Sequence, residues 1–121
     1  MGLEDGTFEP PTLVSGLNTD SYSERLPTVR RDGLEVFFSR AAAGDMGAGK
    51  IFRASRESQE DTWSEPAEVP YPVNYGEDRA DLAPRLSFDG TELYFASSRR
   101  NLFQRPYLDL NVAIRSKLKG Q

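Results

Sequence analysis

Residues 26–39 lie over residues 83–96 without a gap, placing Pro27 over Pro84, Asp32 over Asp89, Gly33 over Gly90 and Phe38 over Phe95, all at one spacing of 57. The flanking pieces align with a small drift. Thr7-Phe8-Glu9-Pro10-Pro11 matches Thr62-Trp63-Ser64-Glu65-Pro66, with Val14 over Val69, at a spacing of 55. Phe52-Arg53-Ala54-Ser55-Arg56 matches Asn111-Val112-Ala113-Ile114-Arg115 at a spacing of 59. Insertions collecting in loops produce drifts of this kind. A chain of 121 residues with an apolar fraction of 37% fills one modest core but not two. The duplication therefore predicts one domain, residues 1–121, built from unit one at about 7–61 and unit two at about 62–116, with a short basic tail over 117–121.

Each unit reads as strands. Asp32-Gly33 and Asp89-Gly90 stand between β-rich runs, and Gly accepts the positive φ that a tight hairpin turn demands, so these four are the structural turn residues. After each turn the chain alternates with period two: Leu34, Val36 and Phe38 against Glu35 and Phe37, then Leu93 and Phe95 against Tyr94. Pro27 and Pro84 are placed at strand starts, where a missing N–H is tolerated. No stretch holds a 3.6-residue period long enough for a helix. Strands are predicted near 7–14, 26–30, 34–39, 50–56, 65–69, 82–86, 92–97 and 109–115. That is one outer strand, then four, then three. A four-stranded antiparallel unit whose phase is shifted by one strand is the arrangement of β-propeller blades closed by an N-terminal outer strand. The fold class expected is all-β, with about two four-stranded blades forming a partial propeller or a ring closed by oligomerisation.

The pattern Pro-x-x-x-x-Asp-Gly-x-x-x-x-Phe, followed by Ser39-Arg40 or Ser98-Arg99 and then by a strand ending in Arg56 or Arg115, resembles the TolB-like group of WD40-like β-propeller repeats. The stretch Leu108-Asp109-Leu110-Asn111-Val112-Ala113-Ile114-Arg115 looks like the third strand of that group. The likeness runs from about Thr7 to Arg115. Two places depart from it: Lys50-Ile51-Phe52 stands where Asp is usual, and Asn101-Leu102-Phe103-Gln104-Arg105 replaces a Gly-rich loop. The resemblance implies a periplasmic or secreted location.

Several chemistries are excluded by composition. The sequence holds no Cys and no His, which removes thiol nucleophiles, disulfides, His-ligated metals and Ser-His-Asp triads. A net charge of −4 gives the whole molecule no electrostatic reason to bind nucleic acid or an anionic membrane. The charges are nonetheless split: residues 1–24 carry five acids and no base, and residues 99–121 carry six Lys or Arg against Asp109, so each end attracts the other or the opposite end of a second copy. No apolar run reaches membrane-spanning length, and the first residues do not form a secretory signal.

Three motifs are weighed against plainer roles. Gly44-Asp45-Met46-Gly47-Ala48-Gly49-Lys50 matches the first positions of a phosphate-binding loop, but Ile51 replaces the hydroxyl residue and a strand follows where a helix is needed, so it reads as a hairpin loop. Asp20 and Glu24, and Glu77, Asp78 and Asp81, cluster before each unit and read first as turn-bonding acids. Phe8 and Trp63 read as packing aromatics, and Arg99, Arg100, Arg105, Lys117 and Lys119 as a solvated edge and tail. The function expected is a non-catalytic binding or scaffold module, with Glu24, Arg25, Asp78 and Arg79 facing a protein or small ligand from the loops around 15–25 and 70–81. No catalytic residue, cofactor, metal, nucleic acid or membrane insertion is assigned; a homo-oligomer completing a ring is the partner expected. The rival reading is a glycoside-hydrolase-like carboxylate enzyme, with Glu24 facing Glu77 or Asp78.

Overall fold

Both Asp-Gly pairs turn the chain in the same way. Gly33 and Gly90 each have φ of 79°, and Oδ1 of Asp32 and of Asp89 accepts from the amide two residues on, Leu34 at 3.0 Å and Thr91 at 3.1 Å. The Arg30 carbonyl accepts from the Gly33 amide at 2.8 Å, and the Ser87 carbonyl from the Gly90 amide at 3.0 Å. An arginine then clamps each turn from the third strand: Nε of Arg56 donates to the Gly33 carbonyl at 2.8 Å, and Nε of Arg115 to the Gly90 carbonyl at 2.7 Å.

The computed structural model describes residues 6–42, 49–76, 80–99 and 108–117. All strands among them are antiparallel, and none of these residues is helical. The first sheet has four strands in chain order, β1 (Tyr22–Val29), β2 (Glu35–Ala42), β3 (Lys50–Ser55) and β4 (Ala67–Glu68). The second has three, β5 (Asp81–Leu86), β6 (Glu92–Ser97) and β7 (Asp109–Ile114). The predicted outer strand over 7–14 is not a strand here. Its only regular feature among the described residues is an isolated bridge at Phe8.

Pro27 and Pro84 lie inside β1 and β5, not at their starts. A bulge makes room for each: the ladder steps from Arg25–Ser39 to Thr28–Phe37, and from Leu82–Ala96 to Arg85–Tyr94, with one extra residue on the proline-bearing strand. The residue before each proline, Leu26 or Ala83, takes φ of 59°. A side chain there costs about 1–2 kcal/mol relative to ordinary backbone, and the bulge uses the distortion to remove the proline from the ladder. In β5 the distortion has a second use, since the freed Ala83 amide donates to Oγ of Ser39 on the first sheet at 2.9 Å.

The period-two alternation of β2 sends its side chains into two separate cores. Val36 and Phe38 pack with Ala54 and Leu17, supported by Phe52 and Trp63. Phe37, from the opposite face, packs with Ile51 and with Leu93 and Phe95 of the second sheet. Leu93 and Phe95 occupy in the second sheet the places of Val36 and Phe38 in the first, being 57 residues further on. The front of sheet two therefore rests on the back of sheet one. Polar bonds follow the same seam: the Leu86 amide donates to Oγ1 of Thr28 at 3.1 Å, and the Asp81 amide to the Gly49 carbonyl at 3.0 Å.

Candidate interaction surfaces and the buried charge that joins the sheets

Glu35 is fully buried at the start of β2, on the face that meets sheet two. Three arginines converge on it. Arg115 brings Nη2 to Oε1 at 2.6 Å and Nη1 to Oε2 at 3.1 Å, Arg53 donates to Oε2 through Nε, and Nη1 of Arg30 stands 3.5 Å from Oε1. Burial pushes the Glu35 carboxyl up, but hydrogen bonds and charge from Arg115 and Arg53 outweigh it and hold the group below its ordinary value. A carboxyl lowered in the folded state stabilises the fold above its unfolded pKa, and that contribution drains away as pH falls through the folded value. Arg115 belongs to sheet two and Glu35 to sheet one, so this pair is a charged tie between the units.

A second pair recurs in both units. Glu24 on β1 accepts from Nε of Arg40 at 3.1 Å and from the Thr19 amide and Oγ1 at 3.2 and 2.7 Å. Asp81 on β5 accepts from Nη2 of Arg99 at 3.0 Å and from the Tyr75 amide at 3.0 Å. Each arginine also donates to the carbonyl of the linker before its sheet, Arg40 to Leu17 at 3.2 Å and Arg99 to Val73 at 2.5 Å. The Ser-Arg step, Ser39-Arg40 within β2 and Ser98-Arg99 just past β6, thus fastens the connecting segment to its sheet.

These contacts assign most of the residues singled out in the sequence. Glu24 is a structural ion-pair partner, and Arg25 is a half-buried β1 residue opposite Ser39. Asp78 and Arg79, with Glu77, lie outside the described residues, so the facing of Glu24 by Glu77 or Asp78 has no geometry. Asp32, Gly33, Asp89 and Gly90 form the turns described above. Of the phosphate-loop match, Gly44–Ala48 fall outside the described residues; Lys50 is a strand residue whose ammonium donates to the Gly76 carbonyl. Trp63 packs on the first core under the Arg56 guanidinium, 4.1 Å from its ring centre, whereas Phe8 is exposed. Of the basic cluster, Arg99 is bound to Asp81, Lys117 is exposed, and Arg100, Arg105 and Lys119 fall outside the described residues. Among the described residues no three or more acidic side chains gather as a metal site.

The surface that sequence reading did not single out is the back of sheet two. Tyr94, Leu110, Val112 and Ile114 share one face by register, Tyr94 opposite Val112, Leu110 opposite Ala96 and Ile114 opposite Glu92. All four are exposed. The alternation in 108–115 was the available signal, since its apolar residues fall on even positions and one face of a sheet must carry them all. Between the sheets, a cavity of about 230 Å³ lined by Phe37, Val69, Val73, Leu86, Leu93 and Arg115 is smaller than the roughly 300–1,000 Å³ of ligand clefts.

Comparison of the chain with protein-family models, with curated proteins and with solved structures finds no match.

Proposed function

We propose that the chain is a non-catalytic binding or scaffold module of β-propeller type, its two sheets neighbouring blades of a ring akin to the TolB-like, WD40-like group it resembles. One observation carries this reading: unlike faces meet between the sheets. The front of sheet two, Leu93 and Phe95, lies on the back of sheet one, Phe37 and Ile51. A two-layer sandwich related by a two-fold axis brings like faces together; a front-to-back contact is heterologous, and its repetition gives a ring where the rotation closes and an open stack where it does not. The linkers pinned by Glu24–Arg40 and Asp81–Arg99 then stand at equivalent places on one rim of that ring, where repeat proteins engage protein or small-molecule partners. Of the acids in the rival hydrolase reading, Glu24 is ion-paired with Arg40, while Glu77 and Asp78 lie outside the described residues.

Electron microscopy of the purified chain tests the reading. Particles with radial sheets around a central axis are expected; a compact two-sheet sandwich with no axis would remove the propeller assignment.

A further inference from the structure

We infer that residues 7–14 of one copy add to β7 of a second copy as the fourth strand its sheet lacks, seating the front of one chain's first sheet on the back of the other's second. The inference rests on the stacked-repeat reading above and uses the internal seam as its template. In sheet one the fourth strand pairs Ala67 with Arg53 and Glu68 with Phe52, and the Val69 amide donates to the Ile51 carbonyl at 2.9 Å. Carried through the spacings of 55 and 59, this register places Thr12 opposite Val112, Leu13 opposite Asn111 and the Val14 amide at the Leu110 carbonyl. Among the described residues no strand pairs with the outer edge of β7, and that edge is the one the added strand would take.

The side chains on both flanks fit the same template. Phe37 and Ile51, covered by sheet two, are 4% and 0% exposed; their counterparts Tyr94 and Leu110 are 45% and 87% exposed. On the other flank, Leu86 and Val69 pack into the seam and Pro84 is fully buried, while their counterparts Val29, Val14 and Pro27 are exposed. Val36 and Phe38 at the middle of the first flank are covered by Leu17 and Trp63, but around them each flank exposes side chains whose equivalents the seam hides, and these two sets would be the two halves of one contact.

The charges agree. Glu92 stands where Glu35 stands, but Ser87 and Val112 replace Arg30 and Arg53 around it, leaving the Arg115 place to be filled by Arg56 of the neighbour. Glu9, in the acidic N-terminal stretch, would lie at the Ile114 end of β7, beside the basic Arg115 and Lys117. Within one chain Phe8 forms an isolated bridge, which addition to a second copy would replace, and the tether of the segment leads away from β7 of its own chain. Leu17, at the end of the donated segment's tether, packs on the Val36–Phe38 face, the side of sheet one opposite to the one that carries sheet two.

The cysteine-free chain allows a direct test. Thr12→Cys and Val112→Cys, both at exposed positions, are purified separately, mixed and oxidised, with Glu60→Cys replacing Thr12→Cys as the control for collision. A disulfide-linked heterodimer accumulating at least tenfold faster than the control is expected, and Glu92→Lys should slow it. A discrete oligomer that gives no link above the control would overturn strand donation while leaving the stacked repeats intact. A monomer with no link, its flank free for some other partner, would overturn the second copy as occupant.

Discussion

Replacing Glu35 by Gln should destabilise the fold by about 3–5 kcal/mol, the range expected when one member of a buried ion pair is removed and its partners stay charged. The side chain has no solvent exposure, and Arg30, Arg53 and Arg115 converge on it, so the amide leaves three guanidiniums about a neutral group. Their own partial exposure softens the loss, since Arg53 and Arg115 retain 42% and 31% of their side-chain surface. The variant also tests the pH argument. With the Glu35 carboxyl held below its ordinary value, native stability falls as pH drops below about 4.5 and toward the folded value, and the Gln variant should lose that part of the slope. Urea titration at pH 7 and pH 4, at one protein concentration, measures both effects. A loss under about 1 kcal/mol at pH 7 would place this cluster with exposed ion pairs.

Phe95→Ala should cost about 3–5 kcal/mol, from lost transfer energy and the cavity left behind. Phe95 is buried between the sheets with Phe37, Ile51 and Leu93, and the Arg99 guanidinium stands 5.0 Å from its ring centre. Among the described residues the front of sheet two has no other large aromatic in that core, so the gap opens at the seam and not inside one sheet. Against a total stability of about 5–15 kcal/mol the change is large, and it should lower the urea midpoint with the slope kept. Phe88→Ala is the comparison: that ring is exposed, held by Arg31 at 4.2 Å, and its loss should stay within about 1 kcal/mol. Equal losses at the two positions would mean that the seam does not carry the fold.

The strands and turns were legible in the sequence because their signals are local. Asp-Gly steps and period-two alternation located β2, β3, β5, β6 and β7 within a residue or a few of their observed bounds. The start of β1 at Tyr22 was hidden by Pro27, since nothing in a proline's identity announces the bulge that lets a strand run through it. The strand expected at 7–14 follows from its likeness to 62–69, but among the described residues the segment forms only an isolated bridge at Phe8. The candidate site was less legible still. Glu24 and Arg25 looked like ligand-facing residues because they are charged and near a loop, whereas the Glu24 partner, Arg40, is sixteen residues away and only the β1–β2 register brings the two together. Glu35 looked like one more polar position in an alternating strand. Its burial depends on Arg115, eighty residues downstream, reaching across the seam.

Front-to-back stacking leaves the flank of Tyr94, Leu110, Val112 and Ile114 exposed, and the proposed ring would cover it with a further sheet. Native mass spectrometry of the intact chain over a hundredfold range of concentration reads this out directly. A single closed multiple of the 13.5 kDa chain, persisting on dilution, is the expected spectrum. A monomer at every concentration, melting in one cooperative step, would contradict it.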